Sequence, residues 1–113
     1  MHTAKMQQLI YDALVDAKAQ DIAVLDVQQI SGFTDTLMVV SGTSTRHVQS
    51  VADRVVDKLR ERGVRVLGVE GQQTGEWVLI DFGAVVVNVM RPQTRDFYNL
   101  EKLWSDGKPL DLG

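Results

Sequence analysis

Trp77-Val78-Leu79-Ile80-Asp81-Phe82-Gly83-Ala84-Val85-Val86-Val87-Asn88-Val89-Met90 decides the fold. Two apolar, β-branched runs flank Gly83-Ala84, a spacer short enough for a tight hairpin. The second run, Val85 to Met90, is almost wholly apolar, which predicts a central strand covered on both faces. In the first run, side-chain alternation puts Trp77, Leu79 and Asp81 on one face and Val78, Ile80 and Phe82 on the other.

Outward from the hairpin, the remaining chain alternates helical and extended periods. Met6, Leu9, Ile10, Ala13, Leu14 and Ala17 recur at spacings of three and four, predicting an amphipathic helix over 4–19. Ile22 to Val27 and Leu37 to Val40 read as two buried strands separated by Ser31-Gly32. Thr43 or Ser44 then caps a second helix, whose Val48, Val51, Ala52, Val55, Val56 and Leu59 form its apolar stripe before Gly63 ends it. Val64 to Val69 reads as a third strand. Pro92 cannot continue the sheet ladder, and Thr94 can cap a last helix from Arg95 to about Trp104, with Phe97, Leu100 and Trp104 on its core stripe. Gly107 and Pro109 break the period after it and predict a loose tail. The expectation is one α/β domain with a mixed five-stranded sheet flanked by helices, in the order α-β-β-α-β-β-β-α.

Composition narrows the function classes. The chain has 113 residues, 44% of them hydrophobic and 24% charged, and no cysteine. A single core suits this length, and disulfides, thiolate nucleophiles and sulfur-bound metals are excluded together. No apolar run approaches the ~20 residues that span a bilayer, and Met1 to Lys5 carries no apolar signal core, so a cytoplasmic protein is expected. Fifteen acids against twelve bases leave a net charge of −3. That balance disfavours a phosphate-rich partner, so no sequence-specific nucleic-acid ligand is expected, and it suits a basic protein partner better.

The inventory for catalysis is thin. His2 and His47 have no second ligand at metal-binding spacing. Gly42-Thr43-Ser44-Thr45-Arg46 joins a strand to a helix but lacks the lysine and glycine spacing of a phosphate loop, so a capped helix start explains it. Asp26, Asp35, Glu70, Glu76 and Asp81 stand singly rather than as a metal-clamping pair. The aromatic content of the last third points instead to recognition. Trp77 reads equally well as a core residue with a satisfied indole N–H or as an anchor, and Arg95, Tyr98 and Glu101 form either a solvated ion-pair stripe or a binding stripe.

Six segments together carry a family resemblance: Asp26-Val27, Ser31-Gly32-Phe33-Thr34-Asp35, Ser41 to Val48, Val69-Glu70-Gly71, Trp77 to Gly83, and Arg95 to Trp104. In this order they strongly resemble the ribosomal silencing factor, or Iojap-like, family. The chain departs where that family usually reads Gly-Asp-Val-Val-Val-His, carrying Ala84 and Asn88 instead. The resemblance implies a nucleotidyltransferase-like fold without catalytic carboxylates, spanning residues 1–105, with 106–113 as a flexible tail. It implies a translational repressor, not an enzyme and without a cofactor, that binds the large ribosomal subunit through its protein fourteen and blocks joining of the small subunit when nutrients are scarce. By the same analogy the docking residues are Trp77, Leu79, Asp81, Arg95, Tyr98, Glu101 and Trp104. Two alternatives stand beside it: a nucleotidyl or phosphoryl transferase using Ser44 and the scattered acids, and a free homodimer joined by the aromatic face.

Overall fold

The Val85–Met90 strand lies in the interior of the sheet with every residue buried, as its unbroken apolar run requires. A computed structural model describes residues 2–113; Met1, part of the N-terminal stretch read for a targeting signal, lies outside them. The elements run α1 (Thr3–Asp16), β1 (Gln20–Asp26), β2 (Thr36–Ser41), α2 (Thr45–Glu61), β3 (Gly68–Glu70), β4 (Trp77–Asp81), β5 (Val85–Met90), α3 (Pro92–Tyr98), α4 (Leu100–Leu103) and β6 (Lys108–Pro109). The sheet order is β3-β4-β5-β2-β1-β6. Only β2 and β5 run parallel, and the other neighbours are antiparallel. The Cα radius of gyration is 12.7 Å.

The sheet therefore has six strands, not five. The extra one is β6, where the expected loose tail lies along β1: Leu25 and Asp26 pair with Pro109 and Lys108, and the Leu110 N–H donates to the Val24 carbonyl at 2.9 Å. Pro109 is tolerated because an edge strand has one side without ladder bonds. Leu110 and Leu112 then pack against the main core.

Two predicted elements shift. Val64–Val69 contributes a strand only at Gly68–Glu70, an exposed edge, while Val64 and Val66 turn under the core beside α2. The first helix stops at Asp16, with Lys18 in the left-handed region at φ 66°. Ala17 stays buried just past that end, which explains why the apolar period ran beyond the helix.

The hairpin forms as predicted. The Phe82 N–H donates to the Val85 carbonyl at 2.9 Å across Gly83-Ala84, with Gly83 at φ 87° and its N–H bonded to Asp81 Oδ1 at 2.8 Å. Gly42 permits the approach of β2 to α2, since a Cβ there would sit 2.7 Å from Val48 Cγ2. Ser44 caps α2 by accepting from the His47 N–H at 3.0 Å. His47 is not an ordinary surface histidine. Its Nδ1 accepts from the Thr43 N–H at 2.9 Å, so Nε2 carries the proton and donates to the Ala17 carbonyl at 3.0 Å, bridging the end of α1 to the start of α2.

The two faces of the sheet are covered unequally. On one, Val78, Ile80, Val85, Val87 and Val89 join Ile10, Leu14, Val48, Val51, Val55 and Leu59 from α1 and α2 in the main core. On the other, a smaller cluster of Val27, Leu37, Val39, Val86 and Met90 is packed against by the partly buried Leu25, Trp77, Leu79, Leu100 and Trp104.

Candidate functional site

The predicted third helix is interrupted, and the interruption shapes the thinly covered face. It starts at Pro92, whose missing N–H costs nothing in the first turn, rather than after a Thr94 cap. Thr94 points its hydroxyl to Glu76 Oε2 at 3.1 Å, and Arg91 Nη1 donates to Glu76 Oε1 at 3.1 Å. Glu76 thus ties the start of α3 to β4. Asn99, at φ 49° and ψ 56°, then ends α3 and caps α4 in a left-handed conformation that Asn adopts more readily than most residues. The break cancels the single core stripe: Leu100 and Trp104 face the small cluster, whereas Phe97 swings out to 80% exposure.

Trp77, Leu79 and Asp81 emerge on this face as alternation requires. The Trp77 indole N–H donates to Asn88 Oδ1 at 2.8 Å, and its ring lies 5.0 Å from that of Tyr98. Tyr98, 54% exposed, meets Phe97 edge-on at 5.0 Å. Opposite them, Phe33 and Trp104 form a second edge-to-face pair at 6.0 Å, with Leu103 exposed beyond. Between the two aromatic rims lies a hollow of about 140 Å³ floored by Leu37, Leu79, Val86 and Asn88. Trp77 and Leu79 also border an open hollow of about 370 Å³ toward Glu70 and Gly71. Large apolar rings left in water beside a groove mark an interaction surface more often than a stable free surface.

The seven predicted residues separate into two groups and one outlier. Trp77, Leu79, Tyr98 and Trp104 line the groove or its rims. Arg95 and Glu101 bind each other instead: Arg95 Nε donates to Glu101 Oε1 at 2.8 Å and Nη1 to Ser41 Oγ at 3.0 Å, with only 11% of the Arg95 side chain exposed. The hydrogen bond from Arg95 holds the Glu101 carboxyl below the ordinary glutamate range, against the opposing pull of its partial burial. Rather than a solvated stripe, the pair is a clamp joining α3, α4 and the end of β2. Asp81 shares the groove face but lies at its hairpin end, with one oxygen on the Gly83 N–H.

Phe33, Phe97, Asn88 and Glu76 complete the site and were not among the expected docking residues. Asn88 carried the clearest signal, as the one polar residue in an otherwise apolar strand. Phe33 carried a weaker one, as a large ring in the turn-forming Ser31-Gly32 segment. Among the described residues no three His, Cys, Asp or Glu side chains are grouped to hold a metal ion. Asp26 and Asp81 each accept a hydrogen bond from a backbone N–H two residues on, and Glu76 accepts from Arg91 and Thr94. No helix among those residues is long and apolar enough to cross a membrane.

Fold and site together define a small α/β protein with one helix-covered sheet face and one open aromatic face. The profile of the family described as "Ribosomal silencing factor during starvation" matches residues 1–113. A ribosomal silencing factor of Chromobacterium violaceum is 42% identical over 96% of this chain and 89% of its own length. A crystal structure of a protein from the same organism superposes with a TM-score of 0.91 at 42% identity, covering 93% of this chain and 88% of the other. The mouse protein named "Mitochondrial assembly of ribosomal large subunit protein 1" is 35% identical over 86% of this chain and 44% of its own length. The chain belongs to the ribosomal silencing factor family.

Proposed function

We propose that this protein represses translation by docking its open aromatic face on the large ribosomal subunit, through ribosomal protein fourteen of that subunit, and excluding the small subunit by bulk. The observation that carries the reading is the Trp77–Tyr98 ring pair, with Tyr98 54% exposed and Trp77 partly buried at the edge of a groove on the sheet face away from α1 and α2. Rigid aromatic anchors beside a hollow are the features that binding hot spots favour. Membership of a family described as silencing ribosomes, and a relative named for assembly of the large subunit, support the ribosome as the partner.

The mechanism needs no bond making. A globule of 33 × 32 × 25 Å resting on a footprint of about 800 Å² protrudes far enough to collide with a second body approaching the same surface. Tyr98 and Phe97 enter the partner first, and Trp77 at the rim and Leu79 on the floor receive an apolar side chain in return. Asp81, at the hairpin end of this face with one oxygen bonded to the Gly83 N–H, presents an acid that suits a basic ribosomal protein and speeds encounter. Arg95 and Glu101 hold α3 and α4 in place beneath the rings. The mixed sheet serves as a nucleotidyltransferase-like scaffold put to binding, and the site of action is the cytoplasm during nutrient limitation.

Purified subunits mixed with this protein and resolved on a sucrose gradient test the reading. Free large and small subunits should accumulate without added nucleotide, with the protein co-migrating with the large one. Unimpeded joining, with the protein remaining at the top of the gradient, overturns it.

A further inference from the structure

The interior of an apolar strand is a costly place for an amide, and Asn88 is only 2% exposed in Val85-Val86-Val87-Asn88-Val89-Met90. Register explains what it does there. Leu79 lies directly across from Asn88 on β4, and Trp77 is its diagonal neighbour on the same face, close enough for a long side chain to reach over. The indole N–H is a donor only, so the 2.8 Å contact fixes the amide with Oδ1 toward Trp77. The far side of the same indole lies against Tyr98. The ring is thus held by a hydrogen bond at its N–H and by a tilted ring-to-ring contact with Tyr98.

We propose that Asn88 is the positioning residue of the docking surface: its carbonyl oxygen selects the Trp77 rotamer that gives the groove one rim and Tyr98 its support. This rests on the docking reading above. A valine at position 88 would suit the strand and the core better, yet it would leave the indole N–H without a partner and let the ring turn toward solvent. An ordered ring binds more tightly than a mobile one because less freedom is lost on association.

A double-mutant cycle separates this role from a merely structural one. Binding to purified large subunits is measured by co-sedimentation for wild type, Asn88→Leu, Trp77→Phe and the double variant. Asn88→Leu should weaken binding about tenfold where Trp77 is present and leave it unchanged where Trp77 is already Phe. Equal losses in both backgrounds, or no loss in either, overturn the proposal. Hydrogen exchange of the indole N–H by NMR gives a readout independent of the ribosome, with the Trp77 signal identified by its disappearance in Trp77→Phe. Exchange should be slow in wild type, at least about tenfold faster in Asn88→Leu, and slow again in Asn88→Asp, which keeps the acceptor. Unchanged exchange in Asn88→Leu overturns the proposal whatever the sedimentation result. If Asn88→Leu does not fold, Asn88→Val, which matches the neighbouring residues, replaces it in both measurements. Wild type that fails to sediment with large subunits overturns the docking reading, and the exchange data then decide whether Asn88 holds the ring.

Discussion

The same strands supply both faces of this sheet, and the two faces are covered to different degrees. Ile80 points into a core closed by α1 and α2 and is fully buried, whereas Leu79, its neighbour in sequence, points into a groove that stays partly open. The covered face has two helices of 14 and 17 residues over it; the open face has two pieces of 7 and 4 residues set at one side. Burial on the first face stabilises the fold, and incomplete burial on the second leaves aromatic area whose removal from water can stabilise a complex instead. One strand can thus serve folding with its even positions and recognition with its odd ones.

The contrast can be broken most directly at neighbouring residues of β4. Ile80→Ala should lower stability by about 3 kcal/mol, read as a reduced urea midpoint with an unchanged slope. Leu79→Ala should lower it by about 1 kcal/mol, and equal losses would mean that the two faces are equally structural. Tyr98→Ala comes next, with an expected loss of about 2 kcal/mol in affinity for the large subunit, or about 30-fold, and little change in unfolding midpoint. A folded Tyr98→Ala protein that binds normally removes the ring from the docking surface.

Arg95→Ala sharpens the comparison at the mounting of α3 and α4. It strands the Ser41 hydroxyl and the Glu101 carboxylate and should lower stability by about 1–2 kcal/mol in urea titrations. Stability unchanged by this variant would return Arg95 to the list of residues free to meet a partner. The smallest effect is a pH dependence. Arg95 holds Glu101 below the ordinary glutamate value of 4.5, so the folded protein takes up this proton less readily than the unfolded chain. The stability contributed by Glu101 is complete above that value and fades as pH falls through the lower folded-state value. Urea midpoints of wild type and Glu101→Gln should therefore differ near neutral pH and converge in acid, whereas a constant gap would show that the clamp does not act through the charge.

Elements built on long, regular periods were legible in the chain: α1, α2, the hairpin and the buried central strand all follow from spacing and turn chemistry. The misread regions are those where a short-range pattern met a long-range partner. Val64 and Val66 have strand-like composition, yet they cover the main core beside α2 and leave the strand to begin at Gly68. The tail has two chain breakers and no period, but two leucines and an open β1 edge keep it against the sheet. Phe97 fell on a helical stripe that Asn99 cut, because one left-handed residue rotates everything after it. Alternation alone puts Trp77 and Leu79 on one face of β4, whereas Tyr98 and Trp104 enter the expected docking set through the family resemblance, and all four lie on or beside the groove. An ion pair between Arg95 and Glu101 was one of two readings of their stripe, but the burial of Arg95 and its bond to Ser41, 54 residues away, have no local signal.

Local rules thus settle which segments are helical or extended, and which face of each is apolar, because periodicity and capping involve residues a few positions apart. Which apolar face would remain uncovered was a matter of assembly. It depended on strand order, on the length of helix available after β5, and on bonds such as Trp77 to Asn88 and Arg95 to Ser41, which join positions 11 and 54 residues apart. Contacts of that separation have no period to read; they exist because packing of the whole chain brings their partners to one place.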